Sequence, residues 1–364
     1  MNHDAAPQPR RTARHAAHPL HRGGPGRPAT PPLQSVPKLA PSYPHCTAAM
    51  PDPTPVHPAR PLNATALAAA ALLALAGPAQ AIVSSTTSSN WLATDDAFDG
   101  VARLVIDGSS GCSGSLLAGG AYVLTAAHCV TDDSGTIDAS RIALSFDGGR
   151  VTAAVSSAAQ ISVDAGWNGT LGLSNDLALL RLDSAVTGIT GYTLASGDLL
   201  GSTVVLAGYG LSGTGATGAV SGSFGTLHWG ENQYEALYDG SGSAVLYDFD
   251  NGTRQRSSLG GTGLGTSEAG IASGDSGGPS FIVLAGQLLL AGVHSFGARL
   301  ADPRYDVDGL LNSSWGELGG DSLLTGEATR AWILAATAVP EPAAWALWLA
   351  GLGAGCAARR RRAA

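Results

Sequence analysis

Gly274-Asp275-Ser276-Gly277-Gly278-Pro279 sets one serine in a glycine-rich turn, and two other stretches stand before it in the chain: Leu124-Thr125-Ala126-Ala127-His128-Cys129 and Asn175-Asp176-Leu177-Ala178-Leu179-Leu180. A serine hydroxyl is a poor nucleophile near neutral pH. It needs a base to take its proton, and that base needs a carboxylate to hold its tautomer and stabilise the imidazolium. Glycines around Ser276 free the backbone to aim successive amides at one point. Six of the nine histidines precede residue 58, and of His128, His228 and His294 only His128 has the context of a base. His228 and His294 read as surface or packing residues. Asp176 opens an apolar strand, where a carboxylate is buried yet held at the strand end.

Outward from these stretches, the chain between Ile82 and Thr325 is a series of short β-rich runs bounded by Gly, Ser, Asp and Asn. They are Val101–Asp107, Ala121–Ala126, Arg141–Phe146, Leu177–Leu182, Thr203–Ala207, Val245–Phe249, Phe281–Leu284 and Gln287–Val293. Many short strands with few helical windows predict an all-β barrel or sandwich. One helix is expected last, over about Gly326–Ala338, with Glu327 in its first turn and Ala328, Trp332 and Ile333 on one face. The 364 residues, 44% of them hydrophobic, exclude wholesale disorder. Net charge is −8, but both ends are basic, and the body between residues 61 and 338 holds 9 basic against 25 acidic residues. Phosphates would be repelled by such a body, which argues against nucleic acid as a partner. No C-x-x-C or His/Cys cluster suggests zinc, and no cofactor is expected. Asp306-Val307-Asp308-Gly309 reads as solvated turn carboxylates rather than a calcium loop. Residues 211–265, rich in Gly, Ser and acids, exceed what a minimal barrel needs.

The ends follow a different logic. Fifteen of 20 prolines lie in residues 1–61, so residues 1–49 read as a coreless presequence or a misassigned start, with Met50 as the alternative initiator. Residues 50–81 read as a signal peptide: Arg60 precedes the 13-residue apolar run 64–76, and Ala79-Gln80-Ala81 offers a signal-peptidase site before Ile82. In residues 339–364, Val339-Pro340-Glu341-Pro342 stops the last helix, residues 343–358 are apolar, and Arg359–Arg362 are four consecutive cations. Sixteen helical residues reach roughly 24 Å, marginal for a ~30 Å hydrocarbon core, and the arginines would stay cytoplasmic, leaving residues 82–338 outside.

Two resemblances follow. From about Ile82 to Ala338 the chain resembles the trypsin/chymotrypsin-like serine proteases, in the order and spacing of its histidine, aspartate and serine motifs. The resemblance implies two packed six-stranded antiparallel β-barrels with the catalytic cleft between them and a C-terminal helix. It implies Ser276 as nucleophile, His128 as general base and then acid, Asp176 as its orienting partner, and the amides of Gly274 and Ser276 as oxyanion hole. It further implies a Cys112–Cys129 disulfide that pins the loop carrying the base. The tail resembles the PEP-CTERM sorting signal, with its Pro-Glu-Pro box, hydrophobic helix and basic end. That implies export across the inner membrane, transient anchoring through the tail, an exosortase-type sorting enzyme as partner beside signal peptidase, and a destination at the cell surface or beyond.

The same resemblance yields expectations about substrate and activation. Counting back from Ser276 puts Gly270 at the base of the specificity pocket, where trypsin-like members carry an aspartate, with Ser295-Phe296-Gly297 as the opposite wall. Cleavage of protein or peptide substrates after apolar or small residues is therefore expected, unless Glu268 enters the pocket. A mature terminus at Ile82-Val83 would place an ammonium beside Asp275, so that signal-peptide removal itself activates the enzyme, although Ser84-Ser85 replace the family's Gly-Gly. The rival from another class is a catalytically silent surface or matrix-binding protein that retains the fold. Survival of both Ser276 and His128 favours the enzyme.

Overall fold

A computed structural model of the protein describes residues 82–85, 96–172, 175–238, 243–302 and 304–338. The expected presequence and signal peptide (1–81) and sorting tail (339–364) lie outside these residues. After a three-residue strand, β1 (Ile82–Ser84), comes the run Val101-Ala102-Arg103-Leu104-Val105-Ile106, which forms β2 (Val101–Ile106) and buries Val101, Ala102, Leu104 and Ile106. The chain continues through β3 (Ser110–Leu116), β4 (Tyr122–Thr125), β5 (Ile142–Phe146), β6 (Val151–Val155), β7 (Ile161–Val163) and β8 (Ala178–Arg181). These pair antiparallel in the order β6-β5-β2-β3-β4-β8-β7. The two edge segments, β6 and β7, are consecutive in sequence, and the Asp183 amide donates to the Ala154 carbonyl at 2.9 Å across the seam. Counted as one bent strand, they close the sheet as a barrel with six strand positions.

A second barrel follows the same plan. It is built from β9 (Thr193–Leu194), β10 (Thr203–Gly208), β13 (His228–Gln233), β14 (Ala236–Leu237), β15 (Ala244–Asp248), β17 (Pro279–Leu284), β18 (Gln287–Ala298) and β19 (Leu318–Leu323). The order is β13-β10-β17-β18-β19-β15-β14, with β9 lying parallel to β18. Only Tyr234 and Glu235 separate β13 from β14, so one bent strand again closes six positions. Between these elements, β11 (Ser212–Thr214), β12 (Gly218–Val220) and β16 (Ala269–Gly270) join β1 in a small sheet of order β12-β11-β1-β16. β1 runs parallel to β11 and antiparallel to β16, with Val83 opposite Gly270.

The last element, α1 (Glu327–Thr337), matches the expected helix, with Glu327 in its first turn and Ile333 buried. The Arg330 guanidinium donates to the Ala195 carbonyl, fastening the helix to the connection between the barrels. No helix among the described residues is long and apolar enough to cross a membrane.

Candidate active site

Asp176 sits just ahead of β8 and is wholly buried, and three donors converge on its carboxylate. The His128 ring lies with Nδ1 2.6 Å from Oδ2, the His128 backbone amide donates to Oδ1 at 2.8 Å, and the Ser295 hydroxyl donates to Oδ2 at 2.6 Å. Such a set fixes the ring's position and leaves Nε2 as the nitrogen free for chemistry. Burial works against a charge on His128, but the attraction and hydrogen bond of Asp176 outweigh it and hold the imidazole above its ordinary value of 6.5. The His128 side chain keeps 25% of its surface exposed, enough to meet a substrate, while that of Asp176 keeps none.

The Ser276 turn of the second barrel packs against the segment that carries His128: Cys129 Sγ lies 3.7 Å from the Ser276 carbonyl oxygen. Cys112, in β3, and Cys129, next to His128, form a disulfide of 2.06 Å, as the resemblance implied. Ser113, the residue after Cys112, bolts the two barrels together at the serine turn. Its amide donates to the Ser276 carbonyl at 2.8 Å and its hydroxyl to the Gly274 carbonyl at 2.9 Å, while its own carbonyl accepts the Thr125 hydroxyl at 2.8 Å. Gly274 has φ +93° and Gly277 φ +82°, and a Cβ at Gly277 would run into Thr125 and the Ser113 carbonyl. Only glycine allows both the turn and this close approach. Among the described residues, neither the Gly274 nor the Ser276 amide has an acceptor within the protein, which is the condition for binding an oxyanion. The bolting role of Ser113 and the contact of Ser295 with Asp176 had no signal in the sequence, because both depend on chain segments more than 100 residues away.

Asp275 turns away from this cleft and is fully buried. Its Oδ1 accepts the Gly210 amide at 2.8 Å, its Oδ2 the Ala272 amide at 2.9 Å, and its carboxylate also takes the amide of Ile82. Burial pushes Asp275 up to about 6 in spite of these donors and the nearby His294. Ile82 is 2% exposed and has φ +55°, a left-handed conformation rare for a β-branched residue.

Gly270, Ile271, Phe249, Glu317, Leu318 and Gly319 line a small cleft behind the serine turn. Glu268 does not enter it. Its Oε1 accepts the Leu264 amide and its Oε2 the Asp250 amide, both at 2.8 Å. The Glu317 carboxylate is tied by the amides of Asn312 and Ser313 at 2.8 and 2.9 Å, and burial pushes it up to about 7. Ser295, Phe296 and Gly297 lie on β18, with Phe296 opposite Gly320 and Gly297 opposite Gly319.

The other two histidines of the body are both interior. His228 is buried, and desolvation drives it down to about 4. His294 places Nδ1 2.9 Å from Asp321 Oδ1 at the centre of the second barrel, where Asp321 also accepts from Tyr234 at 2.8 Å, Tyr247 at 3.1 Å and Ser280. Of the surface and packing readings, both histidines take the packing one. Asp306 is likewise buried rather than solvated, and its Oδ1 accepts from the Asp308 amide and the Ser314 hydroxyl.

Comparison with known proteins agrees with this arrangement. The Trypsin family profile matches residues 92–310, and the PEP-CTERM protein-sorting motif matches residues 338–362. No curated protein matches the chain. The sorting motif implies export and membrane-anchored transit towards the cell surface or the extracellular space. A trypsin profile over more than half of the chain, on a pair of closed antiparallel barrels, makes the protein a member of the trypsin family of serine proteases.

Proposed function

We propose that the protein is an exported serine endopeptidase in which Ser276 attacks the scissile carbonyl. His128 takes the serine proton at Nε2 and returns it to the leaving amine, while Asp176 holds the ring and balances its charge. The amides of Gly274 and Ser276 receive the oxyanion, and an acyl-enzyme on Ser276 is then hydrolysed by water. The observation that carries this reading is the buried Asp176 carboxylate, held by the backbone amide and the ring Nδ1 of His128 and by the Ser295 hydroxyl from the other barrel. Labelling with a fluorophosphonate probe tests it, because the reaction requires an activated hydroxyl and a formed oxyanion hole. Covalent modification of Ser276 is the expected result. An unlabelled, folded protein would mark the silent, fold-retaining alternative.

Substrate choice and activation complete the proposal. Gly270 at the pocket floor, with Ile271, Phe249 and Leu318 around it and both nearby glutamates tied to backbone amides, favours cleavage after apolar or small residues. Profiling with a mixed peptide library checks this, and a preference for Arg or Lys would contradict it. Residues 50–81 act as signal peptide and are removed before Ile82, residues 82–338 are the protease, and residues 339–364 are the sorting and anchoring tail. Cleavage at Ala81 would convert the Ile82 amide, already aimed at Asp275, into an ammonium. That charge compensates a desolvated carboxylate and braces the turn that carries the two oxyanion amides.

A further inference from the structure

We propose that Asp248, Asp250 and Glu268 form a binding site for a hard divalent cation of the calcium type, built into the second barrel beside the specificity pocket. Each residue brings one carboxylate oxygen to a common point, and these oxygens lie within 4.8 Å of one another. A calcium shell of radius about 2.4 Å has a diameter of about 4.8 Å, so the three fit on one coordination sphere. All three side chains are wholly buried.

Two of them carry an oxygen that nothing in the protein satisfies. Asp248 accepts the Leu259 amide on Oδ2 at 2.8 Å, and Asp250 accepts the Gly252 amide on Oδ1 at 2.5 Å, but Asp248 Oδ1 and Asp250 Oδ2 have no partner. An interior acceptor without a donor costs free energy that a native fold seldom leaves uncompensated. Here two such acceptors belong to a converging set of three acids, with a fourth, Glu235, directly behind: its Oε2 takes the Asp248 amide at 2.9 Å. Like charges at this spacing repel, and a cation satisfies the orphan oxygens and the repulsion together. The donor set is all oxygen, with no histidine or cysteine, which selects calcium over zinc.

The cation joins separate parts of the chain. Asp248 ends β15, Asp250 begins the long connection after it, and Glu268 closes that connection immediately before β16. Phe249, between the two aspartates, packs where a Cβ on Gly270 would come within 3.0 Å of its ring. Filling the site therefore fixes both the 251–267 connection and the floor of the pocket, and gives a task to a stretch that exceeds the needs of a minimal barrel.

Calcium chloride titrated by calorimetry into the purified full chain, after dialysis against EDTA, tests the proposal alongside thermal melting. One equivalent of bound calcium is expected, with Tm rising by about 5–10 °C at about 100 times Kd. Asp250→Asn and Glu268→Gln are expected to abolish both responses. In EDTA Asp250→Asn should melt no lower than the parent, since it removes a repelled charge, whereas Glu268→Gln should melt lower, since its new NH2 can no longer accept one of the two backbone amides. Should Glu268→Gln not fold, Asp250→Asn decides alone, because Asp250 Oδ2 makes no bond that the change could break. No heat and no change in Tm for the parent overturns the proposal. So does a response that persists in Asp250→Asn but disappears in Asp306→Asn, or zinc displacing calcium at equal concentration.

Discussion

The first barrel closes around Leu104, Leu116, Leu124, Ile142, Phe146 and Leu180, all buried and all apolar, whereas the second closes around Tyr234, Tyr247 and the Asp321 carboxylate they share. Among the described residues, the first barrel buries two carboxylates, Asp164 and Asp176, and the second buries seven: Asp248, Asp250, Glu268, Asp275, Asp306, Glu317 and Asp321. Both halves of the molecule therefore rest on transfer of apolar surface from water, the second through residues such as Val204, Leu206, Val245 and Ala291, but the second must also find a donor or a proton for each charge it encloses. The same strand plan thus supports two kinds of interior, and the proposed catalytic groups sit at their seam.

Four experiments would break or sharpen this contrast. The largest effect belongs to the seam itself. Ser276→Ala is expected to lower kcat by about 10⁶-fold and Asp176→Asn by about 10⁴-fold. Melting should leave Ser276→Ala at the parent's Tm, since its hydroxyl bonds nothing in the core. Asp176→Asn should also move the acid limb of kcat/KM to lower pH: His128 must be neutral to act, and the asparagine no longer holds its pKa above 6.5.

Next come the two interiors. Asp321→Ala strands four partners in the second barrel, with an expected loss of about 3–5 kcal/mol, and Leu104→Ala opens a cavity in the first, with about 2–5 kcal/mol. Denaturation against pH separates them. His294 and the hydroxyl donors overcome burial and hold Asp321 below the ordinary 3.8, so its contribution is present above that pH and lost as pH falls through the lower folded value. The Asp321→Ala deficit should shrink in acid, whereas the Leu104→Ala deficit should not. Equal pH response in the two variants would dissolve the contrast.

Replacing Cys112 and Cys129 together with serine is expected to cost ~3 kcal/mol, read as a fall in denaturation midpoint. The smallest effect is at alkaline pH. A mature Ile82 ammonium, with a reference pKa of ~8 raised by Asp275, stabilises the active form below that value and loses its charge as pH rises through the higher folded pKa. Activity should fall along that limb. A chain N-acetylated at Ile82 with full activity would remove the activation pair from the account.

What could be read from residues alone follows local apolar pattern in both barrels. All eight runs picked out by that pattern fall on strands, β2, β4, β5 and β8 in the first barrel and β10, β15, β17 and β18 in the second, because a strand facing a packed interior shows as a short apolar run between turn residues. Among the strands that escaped notice, the longest are β3 (Ser-Gly-Cys-Ser-Gly-Ser-Leu), β13 (His-Trp-Gly-Glu-Asn-Gln) and β19 (Leu-Gly-Gly-Asp-Ser-Leu). Their glycines face aromatic rings, as Gly319 faces Tyr247 and Gly320 faces Phe296, and their polar residues bond across the barrel, as Asn232 does to the Asp248 and Ala269 carbonyls. Nothing local encodes such partners. The motifs around His128, Asp176 and Ser276 were legible because reactive groups need particular neighbours in sequence. Ser113 and Asp321 were not, since their neighbours exist only in three dimensions.

Ile82 has a left-handed φ of +55°, and that torsion is defined by the carbonyl carbon of Ala81. Hydrolysis of the bond between them abolishes the torsion outright, and with it a conformational penalty of about 1–3 kcal/mol. On the proposed cut before Ile82, the severed end would gain a positive charge next to a carboxylate already waiting for one. Relief of the torsion and the new ion pair would then both favour the seated end, so that a cut chain would behave as a latch that closes once and has no reason to reopen.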